Sequence, residues 1–589
     1  MGLRSPEVRR GLRLLTRTLL QYKGLAAISI SGALAWMALV VAIPYVVKQI
    51  IDEAIAPGAR DVLVPAVLGL IAVGLLQAGS IAVRRYYGFK LTYRAEADLR
   101  NRMFEHIQRM AFTFHDKTSV GQLMARASSD LSQVRLIFVM LPITIANLGM
   151  FVLVVIVLIT IDPVLGVVAS MTIPALLFSA RKYAGKVVGI SFSVQERLAN
   201  LSQVVEEAIG GIEVVKAYGQ EAQEERKLDE AAREVYDDTM KLARQRAVFS
   251  PVFELIPSMG MVAVLWLGGI RVIDGALTIG DFVAFTQYLA VLVFPLLITG
   301  WFFASLPRSA AAASRVDDLL ATAPEVASPK SPKPLPDGSG EIRFEDVHFS
   351  YEDGPEVLAG VDLVIPGGTS VALVGATGSG KTTLAHLIPR FYDVTEGRVL
   401  LDARDVRDLA LDKLRAEVAV VFQETFLFAV SIADNIRVGD PMASDTRVHA
   451  AARLAQAHGF ICETPDAYDT VVGERGATLS GGQRQRVALA RGVIRDPRVL
   501  ILDDATSSVD AVVEAEIQEA LKSVMAGRTT VIIAHRTSTL ALVDLVVFLE
   551  HGKVVAAGSH QELLATVPRY AAVLASEEGT EPEGVRVWA

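Results

Sequence analysis

The chain has 589 residues, 52% of them apolar and only 21% charged, with 57 basic against 65 acidic side chains and a formal charge of −8. This balance excludes a polycation that seeks nucleic acid, and the apolar excess excludes a disordered or ordinary soluble chain of this size. The single cysteine, Cys462, excludes a disulfide-stapled fold and a cysteine-based metal cluster.

Residues 1–23 are basic, with Arg4, Arg9, Arg10, Arg13, Arg17 and Lys23, and read as a cytoplasmic N-terminal segment. Six apolar runs follow, at 24–47, 62–83, 137–161, 164–180, 251–273 and 282–306. Each has the length of about 17–25 residues that crosses a hydrocarbon core as a helix. The first run is long and lacks a small-residue cleavage site, so it reads as a retained helix. Arg84, Arg85, Lys90, Arg94, Arg100, Arg102 and Arg109 follow the second run, whereas runs three and four are joined by Asp162-Pro163 alone. The positive-inside rule therefore puts both termini and the two long loops in the cytoplasm. Those loops, 84–136 and 181–250, have helical amphipathic spacing and read as membrane helices continuing far into the cytoplasm. Domain boundaries follow: a transmembrane domain at 24–322, a linker at 323–340, a soluble α/β domain at 341–575 and a tail at 576–589. The linker carries Pro324, Pro329, Pro332, Pro334 and Pro336, which favour an extended tether.

In the soluble part, Gly375-Ala376-Thr377-Gly378-Ser379-Gly380-Lys381-Thr382 matches G-x-x-x-x-G-K-[ST], after an apolar strand candidate and before a helical segment. Glycines let backbone N–H groups close around phosphates, and a helix N-terminus adds positive dipole. Lys381 suits β/γ-phosphate oxygens and Thr382 suits Mg²⁺; Thr377, Ser379 and Thr383 complete the candidate ATP-binding set with Gly375, Gly378 and Gly380. The run 499–503, VLILD, is a buried-strand candidate whose Asp503 reaches Mg²⁺ directly or through water.

Leu479-Ser480-Gly481-Gly482-Gln483, set in LSGGQRQRVALARGVIRDPRVLILDDATSSVD, resembles the signature of the ATP-binding cassette (ABC) transporters. The resemblance covers nearly the whole chain. It implies an exporter-type half-transporter of the type IV fold: a six-helix, all-α transmembrane domain fused to an α/β P-loop cassette. By the same resemblance, Tyr351 stacks on adenine, and Gln423 contacts Mg²⁺ and the attacking water. Residues 470–476, TVVGERG, resemble the segment that touches cytoplasmic loops. Ser480 and Gly482 hold the γ-phosphate of ATP on the opposite cassette, Asp510 closes the loop that crosses the dimer interface, and His535 is the switch histidine. Coupling contacts are expected near Phe114-His115-Asp116 and Ala217-Tyr218-Gly219.

One residue departs from the family pattern. After Asp503 the family has Glu, the base that polarises the attacking water; this chain has Asp504. The shorter carboxylate allows a slow but competent site, or a degenerate site that lends its intact signature to a competent partner. The second reading makes the chain one subunit of a heterodimer.

ATP and Mg²⁺ are thus the expected cofactors. The expected partners are a second half-transporter, the bilayer and a hydrophobic or amphipathic substrate, with no nucleic acid. The expected location is the plasma or inner membrane. Glu254 is the acid inside an apolar run, near its cytoplasmic end, and reads either as a functional intramembrane acid or as an interfacial, hydrated carboxylate. The short stretch before the first span leaves no room for a peptidase, so trimming of a peptide cargo is not expected. Export of drugs, lipids or peptides is the leading reading; an ATP-gated channel or regulator, and an importer on the exporter fold, are the alternatives.

Overall fold

The first apolar run fills most of its helix, and the other five lie toward one end of longer helical stretches. The structure is a computed structural model and describes residues 5–352, 354–503, 511–534 and 536–577. Its contacts divide the chain into a membrane unit, comprising residues up to Gln108 with Val120–Thr322, and a second unit, comprising Arg109–Ser119 and the chain from Ala323 onward.

The helices of the first part are α1 (Pro6–Gln21), α2 (Lys23–Ile50), α3 (Arg60–Arg109), α4 (Phe112–Lys117), α5 (Val120–Ala125) and α6 (Leu131–Ile161). They continue as α7 (Pro163–Ser170), α8 (Thr172–Gly210), α9 (Ile212–Tyr218), α10 (Glu221–Ile273) and α11 (Ile279–Ala321). Among the described residues, six helical segments are long and apolar enough to cross a membrane. With 53 residues, α10 is about 80 Å long at ~1.5 Å per residue, far beyond the ~30 Å of a hydrocarbon core.

Charged side chains tie the long extensions together. On α10, Asp238 accepts from Lys241 at 2.6 Å and from Ser193 of α8, while Arg197 of α8 reaches Glu234 at 2.7 Å. On α3, Glu96 binds Arg100 at 2.6 Å and Arg135 of α6 at 3.4 Å. Beyond the apolar runs, Lys48 pairs with Asp281 at 2.6 Å, and Asp52 accepts the Gly280 N–H at 2.9 Å, locking the end of α2 to the start of α11. Asp162 is buried: it caps α7 through the Leu165 N–H at 2.8 Å and pairs with Arg271 at 2.7 Å. The apolar core gathers Val41, Met150, Leu158, Leu165, Phe285 and Tyr288.

The basic N-terminal segment contains a helix that the sequence reading did not assign. Ser5 caps it and Pro6 opens it, and Val8, Gly11, Leu14, Leu15 and Thr18 form its buried stripe. A Cβ on Gly11 would lie 1.8 Å from the Ala310 carbonyl oxygen, so α1 lies directly on the backbone of α11.

The second unit carries β1 (Ile342–Ser350), β2 (Glu356–Ile365), β3 (Ser370–Val374), α12 (Lys381–Leu387), β4 (Glu396–Leu401) and β5 (Arg404–Asp405). Next come α13 (Leu411–Glu417), β6 (Val418–Val421), α14 (Ile432–Arg437), α15 (Asp445–Leu454), α16 (His458–Glu463), α17 (Gly481–Val493) and β7 (Val499–Asp503). It closes with α18 (Ala511–Met525), β8 (Thr529–Ile533), α19 (Thr537–Leu540), β9 (Leu545–Glu550), β10 (Lys553–Gly558), α20 (His560–Thr566) and α21 (Pro568–Glu577). Among the described residues the strands make a four-stranded antiparallel sheet, β2-β1-β4-β5, and a six-stranded sheet, β10-β9-β3-β8-β7-β6. In the second sheet β9, β3, β8, β7 and β6 are parallel. Every residue of β3, β7 and β8 is buried, as a parallel sheet covered on both faces requires. Residues 323–340 run along this unit without helix. Lys333 bridges to Leu409, Arg498 donates to the Pro336 carbonyl at 2.7 Å, and the Gly340 N–H reaches Asp402 at 2.9 Å.

Candidate functional site

Parallel strands bring the candidate residues to one edge. β3 ends at Val374, immediately before the glycine-rich loop; β7 ends on Asp503; β6 ends two residues before Gln423. In the order β3-β8-β7-β6, one strand separates the phosphate loop from Asp503, a gap of about 10 Å at ~4.8 Å per strand. Ligand sites of open α/β sheets lie outside these carboxyl ends. Asp504, Asp510 and His535 lie outside the described residues.

The loop can only be built with glycine at its key positions. Gly378 has φ +81° and Gly380 φ +98°, and a Cβ on Gly375 would lie 2.1 Å from the Leu549 carbonyl oxygen. The Ser379 N–H folds back to the Ala376 carbonyl at 3.0 Å, and α12 starts at Lys381. The buried Lys381 ammonium donates to the Gly375 carbonyl and, at 3.1 Å, to that of Ala376, so its charge sits at the loop itself. Ser379 is also buried, and its Oγ has no hydrogen-bond partner. Buried polar atoms are paired in all but a few cases. An unpaired hydroxyl, a held ammonium and an exposed Thr377 and Thr382 fit a phosphate chain with its Mg²⁺. Thr382, Asp503 and Gln423 would hold Mg²⁺, which when bound neutralises charge on the β- and γ-phosphates. Asp503 is 8% exposed, whereas Gln423 is exposed.

Tyr351 stands beside the loop. Its hydroxyl bonds Thr383 Oγ1 at 3.0 Å, and its ring packs edge-on against Phe349 at 4.8 Å and Tyr392 at 5.3 Å. Burial pushes the Tyr351 phenol up, so it stays protonated and able to bond Thr383. Thr383 is buried, and its hydroxyl ties Tyr351 to the helix that follows the loop.

Sequence reasoning missed the rest of this aromatic cluster. Tyr392 donates to Asp116 Oδ2 at 2.8 Å, and Phe112 stacks on Phe391 at 4.3 Å. Lys117 pairs with Glu352, next to Tyr351. The short helix α4 thus grips both flanks of Tyr351. Burial, and then the bond to Asp116, push the Tyr392 phenol far up. The available signal was the aromatic pair Phe391-Tyr392 shortly after the phosphate loop.

The signature residues open α17. Ser480 is its N-cap: Ser480 Oγ accepts the Gln483 N–H at 3.3 Å, and Gln483 Oε1 accepts the Ser480 N–H at 3.0 Å. This reciprocal capping box presents an exposed Ser480 with Gly481 and Gly482 behind it, over a buried Leu479. The start of a thirteen-residue helix with a spare hydroxyl proton is an anion-facing surface. In 470–476, Val472 is buried and its N–H bonds the Val430 carbonyl at 3.1 Å, while Val471 stays exposed.

Residues 27–296 match the family profile described as the ABC transporter transmembrane region, and residues 358–507 match that described as ABC transporter. An ATP-dependent lipid A-core flippase of Syntrophus aciditrophicus is 34% identical over 90% of this chain and 89% of its own length. The chain belongs to the ABC transporters. A multidrug efflux ATP-binding/permease protein of Mycobacterium tuberculosis is 38% identical over 92% of this chain, which spans only 45% of that relative. A bacterial Atm1-family ABC exporter solved with ATP bound superposes with a TM-score of 0.79 at 27% identity, covering 97% of this chain and 99% of the other. This ABC transporter is accordingly a multi-pass membrane protein with a cytoplasmic cassette, its six membrane helices fused to an α/β nucleotide-binding domain.

Proposed function

We propose that the chain is one half of a dimeric exporter in the plasma membrane, which uses ATP binding and hydrolysis to move hydrophobic or amphipathic compounds outward by alternating access. The observation that carries this reading is the exposed, capped Ser480 at the start of α17. A phosphate loop cradles a nucleotide from one side, and a second chain's Ser480 and Gly482 supply contacts from the other. In this reading Gly375, Thr377, Gly378, Ser379, Gly380, Lys381, Thr382 and Thr383 bind ATP with Tyr351 under the adenine. Gln423, Asp504 and His535 act at the γ-phosphate, and Asp510 lies at the dimer interface. Closure of two cassettes around ATP drives the helix extensions, and hydrolysis releases them. The apolar side chains Ile209, Ile212, Val214 and Tyr218 near the second cytoplasmic turn are 47–75% exposed, which supports a contact with a second chain there.

The partner in this reading is a different half-transporter, because Asp504 stands where a hydrolytic Glu is expected. The relatives named for multidrug efflux and for a lipid flippase support amphipathic cargo. The test is ATP-dependent accumulation of an amphipathic dye in inside-out vesicles. Accumulation that stops with Lys381→Ala supports export; equilibration without accumulation favours a channel; ATP-driven loss from preloaded vesicles favours import.

A further inference from the structure

In the membrane unit, α2, α3, α6 and α11 enclose a cavity of about 620 Å³, and another of about 370 Å³ shares Arg84, Arg85, Ile143 and Ile298 with it. The larger volume suits one drug-sized molecule. The walls are mostly apolar and include Trp36 and Trp301, yet Arg84 and Arg85 line both cavities and, among the described residues, no Asp or Glu does. The Arg84 Nε is buried without a hydrogen-bond partner, and its guanidinium lies 5.5 Å from the centre of the Trp36 ring. Ser29 Oγ donates to the Arg84 carbonyl at 2.9 Å, which fixes this turn of α3 against α2.

Elsewhere the unit pairs its buried acids: Asp130 with Arg315, Asp162 with Arg271, and Asp281 with Lys48. Unpaired cations at the membrane edge are costly, and a bound anion would offset that cost. Arg84 and Arg85 directly follow an apolar run, at the cytoplasmic edge of the hydrocarbon. From there the walls reach Asn147 and Met150 on α6. Between Val139 and Met150, α6 climbs about 16 Å at ~1.5 Å per residue, half of a ~30 Å core. Asn147 is 1% exposed, and its Oδ1 is a second unpaired polar atom on the wall.

We propose that this cavity binds an anionic amphiphile, its charged headgroup on Arg84 and Arg85 and its apolar body against Trp36 and Trp301. The inference rests on the exporter reading and narrows its cargo to anions. The headgroup can belong to a bilayer phospholipid or to a dispersed fatty acid, and the test separates the two. In the full chain with Trp266 and Trp588 replaced by Phe, Trp36 and Trp301 alone report. Quenching of their fluorescence is measured with brominated phosphatidylglycerol, dibromostearate and brominated phosphatidylcholine. One or both anions should half-quench at about tenfold lower concentration than the zwitterion, the scale of a single charge-assisted contact. The R84Q/R85Q pair should erase that preference, Arg85→Gln alone should reduce it, and R84K/R85K should keep it. Equal quenching by all three lipids, or a preference that survives R84Q/R85Q and Arg85→Gln, would overturn the proposal. Vesicle transport is measured in parallel: a chain that prefers the anion but moves nothing with ATP faults the exporter reading and leaves the site standing.

Discussion

Lys381 and His386 lie about one turn and a half apart on α12, and their burial has opposite meanings. Lys381 keeps its charge by donating to the carbonyls of its own loop. A phosphate would take over those donor directions, so Lys381→Ala should weaken ATP binding at this chain's own site about 10- to 150-fold, from ~1.5–3 kcal/mol for a charge-assisted bond. Nucleotide titration checks it, and unchanged affinity would remove Lys381 from the site. His386 has no such outlet. Its Nε2 is buried and unpaired, its ring packs on Phe391 at 5.4 Å, and burial pushes its pKa below the ordinary value of 6.5. The unfolded chain therefore binds a proton that the folded chain refuses. Stability is intact above about pH 6.5 and falls as pH drops below that value. The Tm of the full chain should decline over that range, and His386→Phe should flatten the decline; an identical slope in the variant would clear His386. The motif glycines, Lys381 and Ser480 were legible in the sequence because their chemistry needs fixed spacings. Tyr392 was not, because its role comes from Asp116, 276 residues away in the chain.

Among elements, α4 carries the clearest mechanical consequence. Its Asp116 bonds Tyr392, Tyr392 packs on Tyr351, and Tyr351 bonds Thr383 on α12, so a short helix is joined to the nucleotide loop through two tyrosines. Asp116→Ala and Tyr392→Phe should each lower the transport achieved per ATP hydrolysed. The double variant should be no worse than either single one, because both remove the same bond. Additive losses would mean that the two residues act separately. The sequence did show where the long helices and the buried strands lie, since uncharged runs and runs such as VLILD need no distant partner to be read. It did not show α1, because six basic residues across the first 23 masked a stripe of Val8, Gly11, Leu14 and Leu15. That stripe becomes meaningful only against α11. Gly11→Val should therefore displace α1, destabilising the chain by about 1–3 kcal/mol, the usual cost of overpacking. An unchanged Tm would mean that α1 does not need this contact.

At the scale of the whole molecule, orientation and assembly decide what the chemistry can do. The Asp162-Pro163 junction is closed to a reporter, since Asp162 is buried against Arg271. The exposed turn at Asp274 between α10 and α11 is the better probe: Asp274→Cys should react with an impermeant thiol reagent from outside, and the exposed Cys462 should not. Reversed labelling would mean that the charge argument failed. Assembly turns on the residue after Asp503. Strand β7 ends on the buried Asp503. By chemistry alone, Asp in place of Glu shortens the side chain by one C–C bond, roughly 1.5 Å. Catalytic geometry is sensitive at that scale. In a heterodimer this chain's own site turns over slowly, while its Ser480 serves the fast site across the interface. Asp504→Ala should then cost little steady-state ATPase in the assembled transporter, and Ser480→Arg should abolish most of it, because a bulky cation fills the γ-phosphate contact. In a homodimer both sites are identical, and Asp504→Ala should take hydrolysis to background. That fall would overturn the heterodimer reading and make Asp504 a working base; near-normal turnover would support it.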